Sequence, residues 1–67
     1  MSVYLVQDLD LGVMARVLGA DAYDAAYRYA CAAIGRERDA FALTVQRRGA
    51  SARPMRLDVD LAALRAP

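Results

Sequence analysis

The chain has no histidine, lysine, asparagine or tryptophan, and it has a single cysteine. Each gap removes a class of chemistry. Without histidine there is no Ser-His-Asp or Cys-His arrangement for nucleophilic catalysis. One cysteine without histidine cannot assemble a zinc site of the usual ligands, so no metal and no other cofactor is expected. Cys31 has no second cysteine with which to close an internal disulfide, which makes the reducing cytoplasm of a bacterial cell the expected compartment. The glycines, at 12, 19, 35 and 49, lie too far apart for a phosphate-cradling loop. No run approaches the roughly 20 apolar residues of a membrane span. The opening MSVYLVQDLD lacks the basic and long apolar regions of a secretory signal. A formal net charge of +1 is too small for nucleic-acid binding by bulk charge alone. Together these gaps lead us to expect a protein that is not an enzyme.

What is present reads as one domain, 1–67. A chain of this length buries roughly 60% of its unfolded surface, so its stability is marginal and self-association would add buried area. The hydrophobic fraction of 58% is raised by alanine, yet it is too high for a disordered chain. All nine basic residues are arginine.

The clearest element is a helix over Asp21 to Gly35, DAYDAAYRYACAAIG. Asp21 stands where an N-cap belongs, and Asp24 follows as a weak capping box. Gly35 is placed to close the helix, with Arg36 and Arg38 near its negative end. At about 3.6 residues per turn, Ala22, Ala26, Ala30 and Ala33 share a face, flanked by Tyr23 and Ile34 on one side and Tyr29 on the other. Asp24 and Arg28 lie opposite as an i, i+4 ion pair. So small a face fits close against a sheet.

Strand signals surround this helix. Val3 to Asp8, VYLVQD, is rich in β-branched and aromatic residues, and Asp8 to Gly12 turns, with Gly12 able to supply positive φ. Val13 to Leu18 alternates as a strand, although Leu11, Met14 and Leu18 also fit a helical stripe. Phe41 to Gln46 and Met55 to Leu61 alternate clearly, and Arg47 to Pro54 is a loop by composition. The expected fold is α+β, a two-layer β-β-α-β-β domain with an antiparallel sheet and one helix across one face; the alternative order is β-α-α-β-β.

The candidate binding residues fall into two groups. Asp8 and Asp10 leave the first strand, and Asp58 and Asp60 lie on the outer face of the last; if these strands are neighbours, the four acids form a patch for a basic surface. Tyr27, on the polar side of the helix, is the tyrosine best placed to join them, since tyrosine is enriched at binding hot spots. Tyr23 and Tyr29 are expected to seal the helix against the sheet. Arg47, Arg48, Arg53 and Arg56 surround the last hairpin loop and form a candidate phosphate-contacting finger. Cys31 projects to the outer side of the helix.

The layout of VYLVQD, DAYDAAYRYACAAIG, FALTVQ and MRLDVDL resembles that of small phage and mobile-element proteins, anti-CRISPR inhibitors among them. The resemblance covers most of the chain and rests on no specific motif. It implies a short non-enzymatic domain that blocks a Cas effector subunit, in some members through an acidic face. The two strands before a helix of the ADAYDAAYRYA type also resemble HicB-like antitoxin domains. Three functions follow as expectations. The first is a protein-binding inhibitor of a host defence complex. The second is an Arg-loop nucleic-acid-binding or antitoxin-like regulator. The third is a self-associating structural or assembly protein, for which a homodimer is the simplest form.

Overall fold

In the computed structural model, which describes residues 1–33 and 38–65, the elements are β1 (Ser2–Asp8), β2 (Val13–Gly19), α1 (Ala22–Ala32), β3 (Ala40–Arg47), β4 (Met55–Asp60) and a short α2 (Leu61–Arg65). The four strands form one antiparallel sheet in the order β2-β1-β3-β4. This is the expected α+β order, and the ambiguous stretch 13–18 is a strand. Two valines favour the pleated surface there, and Gly12, at φ +72°, lets the preceding turn close with the Gly12 amide donating to the Asp8 carbonyl at 2.8 Å.

Antiparallel register decides which side chains share a face. Val6 lies between Ala15 and Val45, Tyr4 beside Val17, Leu43 beside Leu57 and Phe41 beside Val59. These inward positions, with Ala25, Ala26, Tyr29, Ala30, Ala33 and Leu61, make the core. Phe41, Leu43, Val6 and Val45 are its largest fully buried apolar side chains, each contributing about 1.5–3 kcal/mol by leaving water. The other face carries Val3, Leu5, Gln7, Met14, Arg16, Leu18, Thr44, Gln46 and the outward residues of β4; among the described residues no layer covers it.

Asp21 caps α1 as its sequence position requires. Its carboxylate accepts from the Asp24 amide at 2.8 Å, while Asp24 reaches back to the Ala20 amide at 2.8 Å. Asp24 also takes the i, i+4 ion pair with Arg28 at 3.1 Å. Helical structure ends at Ala33, whose amide is shared between the carbonyls of Tyr29 and Ala30. Ile34, Gly35, Arg36 and Glu37, and with them the expected glycine stop, lie outside the described residues. The buried stripe is rotated from the expected one. Ala25 joins it and is fully buried, Ala22 is half-buried, and Tyr23 is 64% exposed instead of sealing the sheet. The strand expected to run to Leu61 stops at Asp60, because Leu61 turns into α2 and buries its side chain there.

Gly19 sets how closely α1 approaches the sheet. A Cβ at this position would lie 2.8 Å from the Ala25 amide nitrogen and 3.0 Å from its Cα and Cβ. The obstacle is helix backbone, which cannot rotate away. Gly19→Ala is therefore expected to cost about 1–3 kcal/mol as an overpacking change, and Gly19→Val more. At Gly12 a Cβ meets nothing within 4 Å and only the positive φ is costly, at about 1–2 kcal/mol. Urea denaturation midpoints check this. Gly12→Asn recovers most of the loss seen in Gly12→Ala, because asparagine tolerates that φ, whereas no residue larger than glycine rescues position 19.

Candidate functional site

The five candidate partner-contacting residues do not converge as four acids and a tyrosine. Asp8 leaves the group. It ends β1 on the inward face, and its carboxylate is fully buried. The expectation of a solvent-facing acid fails because the pleat that places Tyr4 and Val6 inward places Asp8 inward too.

The buried charge is matched on every side. Asp8 Oδ1 accepts from the amides of Asp10 at 3.1 Å and Leu11 at 3.3 Å, which is the Asx geometry of a turn-forming aspartate. Tyr29 Oη donates to Oδ2 at 2.8 Å. The Arg38 guanidinium donates to both oxygens, at 2.7 and 3.2 Å. Arg38 also reaches Asp10 at 3.0 Å and lies over the Phe41 ring, 4.4 Å from its centroid. Tyr29 meets the same ring edge-on, with centroids 6.3 Å apart. The Arg38 guanidinium holds the Asp8 carboxyl down from 3.8 to about 2, against the opposing effect of burial, with Tyr29 and the Leu11 amide helping. Asp8 in turn raises Arg38. This cluster ties the β1–β2 turn, α1 and the start of β3 together. With the Asp8 carboxylate fully buried, it is a structural centre.

The remaining acids are brought together. Asp10, Asp58 and Asp60 border one open depression of about 320 Å³, floored by Ala40, Phe41, Ala42 and Val59. Adjacency of β1 and β4 is not the cause, since β3 lies between them; the β1–β2 turn reaches across instead, with the Leu9 amide donating to the Ala42 carbonyl at 2.9 Å. Asp58, Val59 and Asp60 also border a second depression of about 460 Å³ with Tyr23, Tyr27, Ala63 and Leu64. The side chains of Asp10 and Asp58 are 59% and 73% exposed. One oxygen of each acid is engaged: Asp10 by Arg38, Asp58 by Arg56 at 3.2 Å, and Asp60 by the amides of Ala62 and Ala63 at 3.1 and 3.2 Å, which caps α2. Comparison with protein-family models, curated proteins and solved structures finds no match.

The flank is thus built from two depressions that share the last residues of β4. It combines acids with the exposed rings of Tyr23 and Tyr27 and the exposed Leu64. The Cys31 side chain one turn on raises the Tyr27 hydroxyl above its ordinary value. Cys31 is exposed, on the outer side where the sequence places it. At the other end of the sheet, Arg47, Arg48 and Arg53 are exposed around the β3–β4 loop. Gln46 braces this loop by donating to the carbonyls of Ala50 and Ala52 at 3.2 and 2.7 Å. Among the described residues these three arginines form no salt bridge, whereas Arg56 faces outward from β4 and pairs with Asp58. Among the described residues no cluster suited to a metal is present, and no helix is long and apolar enough to cross a membrane.

Sequence reading missed the Asp8 centre. Half of it was within reach, because an aspartate two residues before another amide-rich turn position favours an Asx turn. The other half had no local signal: Arg38 is 30 residues away.

Two outcomes follow for the centre. Asp8→Ala removes the buried acceptor that the Arg38 guanidinium and the Tyr29 hydroxyl share. The expected cost, about 3–5 kcal/mol for breaking a buried pair, approaches the whole stability of a domain this small at roughly 0.05–0.15 kcal/mol per residue, so the variant is expected to be unfolded by circular dichroism. The pH dependence has a definite sign. A carboxyl lowered on folding contributes stability above its ordinary value and loses it as pH falls. Denaturant titrations should therefore show stability declining from about pH 4 down through about 2. Asp8→Asn, which keeps the turn acceptor but cannot titrate, is expected to be less stable at pH 7 and to lack this component of the decline.

Proposed function

We propose that this chain is a small non-enzymatic protein-binding inhibitor, of phage or mobile-element origin, that blocks a host defence complex of the CRISPR-Cas type. The observation that carries this reading is the convergence of Asp10, Asp58, Asp60 and Tyr27 on one flank along β4. Carboxylates beside exposed tyrosines suit a basic protein surface, such as one that otherwise receives nucleic-acid phosphate. The tyrosines supply rigid contact area of the kind that dominates binding energy, and the acids supply orientation and association rate. With a net charge of +1 the chain acts by covering a surface with a mixed patch, not by reproducing the charge density of DNA. The fit of so small a domain to this role lies in its outside: its centre is occupied by a closed ion pair and its core by apolar side chains.

A second reading, a nucleic-acid-binding or antitoxin-like regulator, draws on the exposed Arg47, Arg48 and Arg53 at the opposite end of the sheet. Each free guanidinium is suited to bidentate phosphate contact.

Pull-down with mass spectrometry from the host bacterium separates the two. The inhibitor reading predicts stable co-elution with a basic effector subunit. Tyr27→Ala combined with Asp60→Asn, which removes the charge but keeps the α2 cap oxygen, is expected to weaken that complex by about thirtyfold or more, the scale of a hot-spot truncation. Retention of the complex in this variant, with loss in Arg47→Ala/Arg48→Ala and a steep salt dependence, would assign the activity to the arginine loop instead.

A further inference from the structure

The sheet has two open edges. β2 and β4 each pair on one side only, and among the described residues nothing pairs with the other side. An open edge is a template for another strand, and the two edges differ in what they can accept. We propose that the outer edge of β4 pairs antiparallel with β4 of a second copy of this chain, about a two-fold axis through Leu57.

The argument is one of register. A two-fold axis perpendicular to the sheet makes the strands antiparallel, keeps both helices on one face, and sets residues against partners equally far on the other side of the axis. Centred on Leu57, the strand Met55-Arg56-Leu57-Asp58-Val59 is complementary to its own reverse. Arg56 meets the second copy's Asp58, and Asp58 meets the second copy's Arg56. Leu57 meets Leu57, and Met55 meets Val59. Both ion pairs fall on the outer face, where Arg56 and Asp58 already lie within 3.2 Å of each other in their own strand; the four charges would alternate in sign. Every apolar pair falls on the inner face, where Met55 is exposed and Leu57 and Val59 are only half-buried in the single chain. Asp60 would stand opposite Pro54, which has no amide to donate. The ladder therefore ends where α2 begins.

Other self-pairings lack this match. Centred on Arg56 or Asp58, β4 sets like charges directly opposite, which is unfavourable. β2 centred on Arg16 does the same, and centred on Ala15 or Val17 it leaves Arg16 against Met14 or Leu18. The inference goes beyond the inhibitor reading and does not rest on it. Sedimentation of the purified chain alone tests self-pairing, whereas capture of a foreign protein tests the other.

The experiment is sedimentation equilibrium over a concentration series, under reducing conditions so that the exposed Cys31 forms no disulfide. A monomer–dimer equilibrium is expected. Arg56→Asp and Asp58→Arg, both at exposed side chains, are each expected to weaken the dimer by on the order of tenfold or more, with circular dichroism confirming the fold. Mixing the two single variants restores dimer, because each strand then meets its opposite in charge, and the double variant Arg56→Asp/Asp58→Arg restores it alone. A monomer at every concentration overturns the proposal. So does a dimer indifferent to both single variants, which would assign the β2 edge, and so does open-ended association, which would assign β2-to-β4 pairing.

Discussion

A carboxylate with no exposure to water, Asp8, is the constraint on which the rest of the molecule is arranged. A charge taken out of water is costly unless it is paired and hydrogen-bonded. Asp8 meets that requirement with two amides of its own turn, a phenol from α1 and a guanidinium from the segment that leads into β3. Tyr29 and Arg38 lie 21 and 30 residues along the chain from Asp8, so satisfying one side chain fixes three pieces of chain at once. The Phe41 ring carries the same load from below, with Arg38 over its face and Tyr29 at its edge. In a chain too short to bury much apolar surface, such a centre supplies uniqueness as well as stability. Its loss removes the buried acceptor that these donors share.

The second constraint is proximity. Alanines at 25, 26, 30 and 33 and the absence of a side chain at Gly19 bring α1 down onto the sheet. Most inward side chains of the central strands β1 and β3 are buried beneath it, whereas most of those of β2 and β4 are only partly covered. The exposed tyrosines, the acids of β4 and the hairpin that carries Asp10 all belong to that periphery. The function proposed for the chain follows from this distribution. The interior is committed to holding the fold, and recognition is left to the rim and the open strand edges.

The acids show how the two constraints divide residues of one type. Asp8 and Asp10 are two positions apart, yet one is a buried tie and the other a half-free surface group shared with Arg38. Asp21 and Asp24 are spent on the start of α1, and Asp60 on the start of α2. Asp58 is held by an exposed ion pair of its own strand, an interaction worth little in water. A count of acidic residues therefore overstates the charge available for a partner.

Local pattern was enough for the strands, the helix start and the order of elements. Alternation at Phe41 to Gln46 and at Met55 to Asp60 reports which face meets the core, because a pleat has a period of two. Asp21 reports a helix start, because its side chain needs only amides three residues away. The glycine at 12 reports a turn for an equally local reason. Contacts across the chain were not legible in this way. That Asp8 belongs to Arg38 and Tyr29, that Ala25 and not Ala22 lies deepest, that Tyr23 faces water, and that Asp10 reaches the acids of β4 by way of a turn all depend on how the helix is rotated and where the strands are stacked. Those are decided by packing and by the pairing of a buried charge over a separation of 30 residues, for which no short window of sequence carries a signal.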